Sequence, residues 1–168
     1  MSTRGVIARA NGEGFVGRYH HWDSYPSGLG QTLYKWAQQM DRQDMLHLLL
    51  DKHPAGWSTI VGTDPSLPPG YVNSNFPTDN RPQCYCHGDR HEDIDQVLTD
   101  RNAAGAGCEY AYVFDSSLHF MTILSSYHAD GEKMYGLFGM GDPKAVWRKI
   151  AVVDLDGPEP DWKHLDSK

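Results

Sequence analysis

Cysteine is scarce in this chain: Cys84, Cys86 and Cys108 are the three present in 168 residues. The number is odd, and the spaced framework that staples small secreted domains is missing. That pattern favours a reducing compartment, so a cytoplasmic protein is expected. Long apolar runs are missing too. No segment reaches about 18 consecutive apolar residues, and the start, Met1-Ser2-Thr3-Arg4-Gly5, lacks a basic stretch followed by a hydrophobic one. Neither membrane spanning nor export is expected. Positive charge is in deficit, with a net charge of −7 when His is counted neutral. Duplex binding is driven by phosphate neutralisation, so bulk nucleic acid is excluded as an expected partner. A small anionic ligand remains allowed, because a few clustered arginines can hold one or two phosphates locally.

What is present is enough apolar material to fold. The hydrophobic fraction is 39%, with five Trp and nine Tyr, which argues against disorder. The length fits one domain, and residues 1–155 are read as that domain, followed by a polar tail over 156–168 in which Trp162 is the large apolar anchor.

Residues Arg4 to Ala10 and Phe15 to Asp23 flank Asn11-Gly12-Glu13-Gly14 and read as a hairpin. If Ala10 opposes Phe15, Ala8 faces Gly17, Val6 faces Tyr19 and Arg4 faces His21. Alternation then puts Val6, Ala8, Phe15 and Tyr19 on one face that ends in Arg4, His21 and Asp23. Ile7, Arg9, Val16, Arg18, His20 and Trp22 occupy the other, a mixture suited to partial cover by a helix or a partner surface.

Apolar residues Leu29, Leu33, Trp36, Ala37 and Met40 recur at helical spacing after the Tyr25-Pro26-Ser27-Gly28 break. Asp41 is placed to cap a second helix with Met45, Leu48 and Leu49 as its stripe, ended by His53-Pro54. Residues 62–82 hold five Pro, two Gly and three Asn, too many breakers for a regular element, and read as a long surface loop. Gln83 to His87 reads as a short strand and Glu92 to Leu98 as a helical turn. Arg101 to Gly107 reads as a small-residue loop. Cys108 to Phe114 and Leu118 to Leu124 read as a second hairpin around Asp115-Ser116-Ser117, with further strands at Met134 to Phe138 and Val146 to Val153. The expected fold is α+β: an antiparallel multi-stranded sheet with two helices packed on one face and long loops.

The densest reactive run is Arg18-Tyr19-His20-His21-Trp22-Asp23-Ser24-Tyr25-Pro26. With Arg4 it offers forked guanidinium donors, titratable imidazoles and rings that can stack on a base. Arg4, His21, Asp23, Tyr25, His20 and Arg18 are therefore the candidate ligand-binding residues. The plainer alternative is an Arg4 to Asp23 ion pair with one satisfied histidine.

Cys84, Cys86, His87 and His91 superficially resemble a zinc site. On a continuing strand His87 points away from Cys84 and Cys86, so ordinary buried thiols and surface imidazoles are the preferred reading, and no metal or cofactor is expected. Ser2 would be an N-terminal nucleophile if Met1 were removed. Ser24 beside Asp23 is not read as a triad, because strand neighbours point to opposite faces. The glycines of Gly136 to Gly141 sit at the wrong offsets for a dinucleotide loop, and a tight turn is the better reading.

The segments Ser2-Thr3-Arg4-Gly5-Val6-Ile7-Ala8 and Tyr19-His20-His21-Trp22-Asp23-Ser24-Tyr25-Pro26 resemble a family of small phage, prophage and bacterial proteins. Its members begin with a Thr-Arg-x-x-Ile-Ala strand and continue to Tyr-x-His-x-Asp-Gly-Tyr. Arg4, His21, Asp23 and Tyr25 match that pattern, and Ser24 stands where Gly is usual. The similarity extends to Tyr85-Cys86-His87-Gly88 and to the Tyr110 to Leu124 hairpin. The resemblance implies a phage-type accessory role, counter-defence included, in which a small anionic or nucleotide-like ligand or a host protein is bound, with oligomerisation open. The competing expectation is a small amide or phosphodiester hydrolase using Ser2 as nucleophile, or His20 and His21 as acid and base.

Overall fold

A computed structural model of the chain describes residues 2–72, 80–126 and 147–168. Its centre is the first hairpin. Strand β1 (Arg4–Asn11) and strand β2 (Gly14–His20) pair in the register expected, Ala10 against Phe15, Ala8 against Gly17 and Val6 against Tyr19. The connection is a two-residue turn with Gly12 at φ +61°, a conformation glycine adopts without a Cβ penalty.

Strands β3 (Trp57–Thr59), β4 (Gln83–Cys84), β5 (Leu98–Thr99), β6 (Cys108–Phe114), β7 (Phe120–Ser125) and β8 (Arg148–Asp154) complete an eight-stranded sheet in the order β4-β3-β2-β1-β6-β7-β8, with β5 also on β2. Most neighbours are antiparallel. The pairs β1 with β6 and β2 with β3 are parallel, because the connections between them are long enough to bring the chain back in the same direction.

One face of the sheet carries the main core, where Ile7, Trp57, Tyr112, Phe114, Met121 and Ile123 meet the helices. Helix α1 (Gln31–Gln39), preceded by a π-helical turn over Pro26–Gly30, buries Leu33, Trp36 and Ala37. Helix α2 (Arg42–Leu46) starts at Asp41, whose carboxylate accepts the Asp44 N–H as expected of an N-cap. It runs into a second π-helical turn, His47–Asp51, which buries Leu49 and Leu50. Arg9 and Arg18, on the helix face of the hairpin, are tied to this layer: Arg9 makes a forked pair with Asp51 at 2.7 and 2.9 Å, and Arg18 donates to the Leu50 carbonyl. The opposite face holds a smaller cluster of Val6, Ala8, Phe15, Leu98, Cys108 and Val113. The architecture is α+β, and among the described residues no helix is long and apolar enough to cross a membrane.

Several local expectations are corrected. The strand anticipated over Gln83 to His87 stops at Cys84. Glu92 to Leu98 is not helical: residues 91–97 run without regular structure. Tertiary bonds hold that run in place of a helical ladder, since Arg18 reaches Asp95 and the Gln96 carbonyl while the Gln96 N–H reaches Pro54. Strand β7 begins two residues after Leu118, which takes φ +60° in the turn. The described part of 62–82 is irregular, as its prolines demand. The strand expected at Met134 to Phe138 and the turn at Gly136 to Gly141 lie outside the described residues.

The C-terminal segment docks. Helix α3 (Trp162–Asp166) is capped by Asp161 and buries Trp162 and Leu165 in the main core. The Asp166 carboxylate accepts from the Ser27 N–H and hydroxyl, so a segment that reads as a polar tail forms part of the wall around Pro26–Gly30. Trp162→Ala is expected to cost roughly 3 kcal/mol and to lower the midpoint in a thermal denaturation followed by circular dichroism. A midpoint unchanged from wild type would show that the docked segment contributes nothing to stability.

Candidate functional site

The sequence after β2 turns sharply, and one buried knot sets that turn. His20 is fully buried. Its Nε2 accepts the Ile60 N–H at 3.0 Å, which leaves the proton on Nδ1, 2.9 Å from the Ser24 hydroxyl. Ser24 Oγ in turn donates to the His20 carbonyl. The rest of Ser24 is equally engaged, its N–H with the Thr3 carbonyl and its own carbonyl with the Tyr112 hydroxyl. A Cβ on Gly5 would lie 2.8 Å from the Ser24 Cβ, so the knot also requires a glycine there. The residue in the left-handed region is Asp23 (φ 57°); aspartate tolerates that region better than most side chains. Ser24 does not take a positive φ.

This arrangement separates the candidate residues. His20 serves the fold, and burial pushes its pKa down from 6.5 to about 3, with His21 adding to the effect. Arg18 is consumed by backbone carbonyls and Asp95 on the helix face. Burial, then the neighbouring carboxylates of Asp23 and Asp166, raise the Tyr25 phenol above its ordinary value. The alternative Arg4 to Asp23 ion pair is not among the arginine ion pairs of the described residues, which join Arg9 with Asp51, Arg18 with Asp95, Arg42 with Asp156 and Arg90 with Glu92.

The charge of Arg4 reaches both His21 and Tyr19 at this end of the hairpin. Tyr19 OH lies 2.6 Å from His21 Nδ1, and the exposed Trp22 ring meets the imidazole edge to face at 4.6 Å. Burial, then the positive charges of Arg4 and Arg90, lower the His21 pKa. Burial likewise raises the Tyr19 phenol to about 12, against the pull of Arg4. Arg90 stands over the rings of Tyr85 and Tyr71, 4.7 and 5.7 Å from their centroids, and donates to Glu92. Two guanidiniums, an imidazole and several rings thus share one end of the sheet in a chain whose net charge is −7. Clefts near the other end of the hairpin, lined by Phe15, Asp100 and Trp147 and by Arg9, Phe114 and Leu118, include none of these residues.

A second constellation lies behind this face. Because β4 stops at Cys84, the chain bends and His87 swings to the side of the two thiols. Cys84, Cys86 and His87 then converge with His53, and the four ligand atoms lie within 4.8 Å of one another. His91 is outside the group. The alternation that would set His87 apart from the two thiols does not apply here, because the strand ends at Cys84. His53 carried no local signal beyond ending a helix, and Arg90, Tyr85 and Tyr71 are distant in sequence from Arg4. The bend is closed by Gly88 (φ +74°), where a Cβ would fall 2.1 Å from the Tyr71 carbonyl oxygen. Tyr71 N–H accordingly reaches the His87 carbonyl and Asp89 N–H reaches that of Tyr71.

Comparisons with protein families, with characterised proteins and with solved structures find no match for this chain.

The buried imidazole makes a pH prediction. His20 has a folded-state pKa below its ordinary 6.5, so folding excludes its proton. Its contribution is complete above about pH 6.5 and is lost as pH falls toward about 3. His20→Leu should be less stable at pH 7.5, because the Ile60 N–H loses its acceptor, yet should show a shallower loss of stability from pH 7 to pH 4. Parallel denaturation curves for the two proteins across that range would refute the assignment.

Proposed function

We propose that this protein is a non-catalytic binding protein for a small anionic ligand bearing a planar ring, of nucleotide type, held at the Arg4 and His21 end of the sheet. The observation that carries the reading is the cluster of rings and cations here: Trp22 meets His21 edge to face, Arg90 stands over Tyr85 and Tyr71, and the charges of Arg4 and Arg90 both act on His21. Guanidinium forks recognise phosphate oxygens, and exposed rings accept a base. A phage-type accessory role, in which such a ligand is sequestered, accords with this chemistry and with the resemblance of the Arg4 and His21 segments.

A general acid or base needs access to solvent and a pKa near the working pH. His20 has neither, which weighs against the pairing of His20 with His21 in hydrolysis. Ser2 lies two positions before the first residue of β1.

The reading is tested by isothermal titration with ATP, using ribose 5-phosphate as the ring-free control. ATP should bind more tightly than the control, and Arg4→Ala and His21→Ala should each weaken it about tenfold or more while leaving the unfolding midpoint within about 2 °C of wild type. ATP recovered intact after denaturation supports binding alone, whereas recovered product would make the protein a hydrolase. Equal affinity in wild type and Arg4→Ala would remove this face as the site.

A further inference from the structure

We infer that His53, Cys84, Cys86 and His87 form a structural zinc site that clamps the segment carrying Tyr85 and Arg90 against the end of the helical layer. Two thiols and two imidazoles are the donor set that tetrahedral Zn²⁺ takes in closed structural sites. The separations fit. Cys84 Sγ is 3.5 Å from His87 Nδ1, Cys86 Sγ is 3.2 Å from the same nitrogen, and Cys86 Sγ is 3.4 Å from His53 Nδ1. With Zn–S about 2.3 Å and Zn–N about 2.0–2.1 Å, a tetrahedron has sulfur-to-nitrogen edges of about 3.5 Å. His53 and Cys84 are buried, Cys86 is half-buried and His87 is exposed, so an ion would have an entry path on one side and a protected floor on the other.

The position explains what the ion would do. His53 leaves the helical layer and Cys84 ends β4, and between them in sequence lie β3 and the proline-rich residues 62–82. Joining two points so far apart in the chain removes entropy from the unfolded state, as a disulfide would. His53 also packs its ring against Trp57, 4.8 Å between centroids, so the clamp is anchored on β3. From this base the chain continues to Arg90, whose guanidinium lies over Tyr85. The inference stands apart from the ligand reading, and either can fail alone.

The test is made on the full chain, reduced and stripped with a chelator, then titrated with Co²⁺ and with Zn²⁺. A single equivalent of Co²⁺ should give the intense visible bands of a tetrahedral site together with thiolate charge-transfer absorption, and Zn²⁺ should displace it. Zinc should raise the thermal midpoint and protect amides of residues 84–90 from hydrogen exchange. Cys86→Ser should weaken Zn²⁺ binding by at least about a hundredfold, whereas Cys108→Ser and His91→Ala should stay within about twofold of wild type. His53→Cys should retain the metal with stronger thiolate absorption, which keeps the test informative if Cys86→Ser fails to fold. No uptake by reduced wild type, weak octahedral cobalt bands, or wild-type affinity in Cys86→Ser would each overturn the assignment.

Discussion

The neutral imidazole of His20 is the contact on which the geometry of this molecule turns. Burying a polar ring costs free energy unless each of its polar atoms finds a partner, and here both nitrogens do, one with Ile60 and the other with Ser24. The bonds join the end of β2, the turn that follows it and the exit of β3 into one unit. Strand alternation does the remainder. With His20 fixed into the helix-side core, His21 must project to the opposite face, where it meets Tyr19 and feels the charges of Arg4 and Arg90. A fully buried residue thus determines where its more exposed neighbour stands.

The two faces of the sheet are consequently used in different ways. The helix side is closed by large apolar side chains; Arg9 and Arg18 of the sheet are spent on Asp51 and the Leu50 carbonyl of the covering layer, and Arg42 of that layer reaches back to the Leu118 carbonyl between β6 and β7. On the other side the apolar cluster of the described residues is smaller, and charged groups lie near rings. The Cys84 to Arg90 segment links the sides: its thiols and His87 face His53 at the edge of the helical layer, while Tyr85 and Arg90 stand near Tyr19 and His21. The close approach of Gly88 to Tyr71 holds that bend tightly.

The hairpin was legible because its information is local. Turn residues, alternation and an index sum fix the register once one pair is known, and the observed pairing follows them. The Asp41 cap and the apolar stripes of the helices were legible for the same reason. Glu92 to Leu98 misled because its composition suits a helix while distant partners, Arg18 and Pro54, hold it extended. The thiol cluster misled because the alternation argument is valid only while a strand lasts, and β4 ends where the argument needed it to continue.

By itself the sequence determined the fold class and the central hairpin with its two unlike faces, both consequences of period-2 geometry and short-range turn chemistry. Only the tertiary structure decided that Asp23, Tyr25, Arg18 and His20 belong to other neighbourhoods, that Arg90 joins His21, and that His53 completes a four-ligand cluster with Cys84, Cys86 and His87. Those meetings join residues far apart in the chain, and they depend on where a strand stops and which carbonyl a side chain reaches. No local pattern of residue types encodes either.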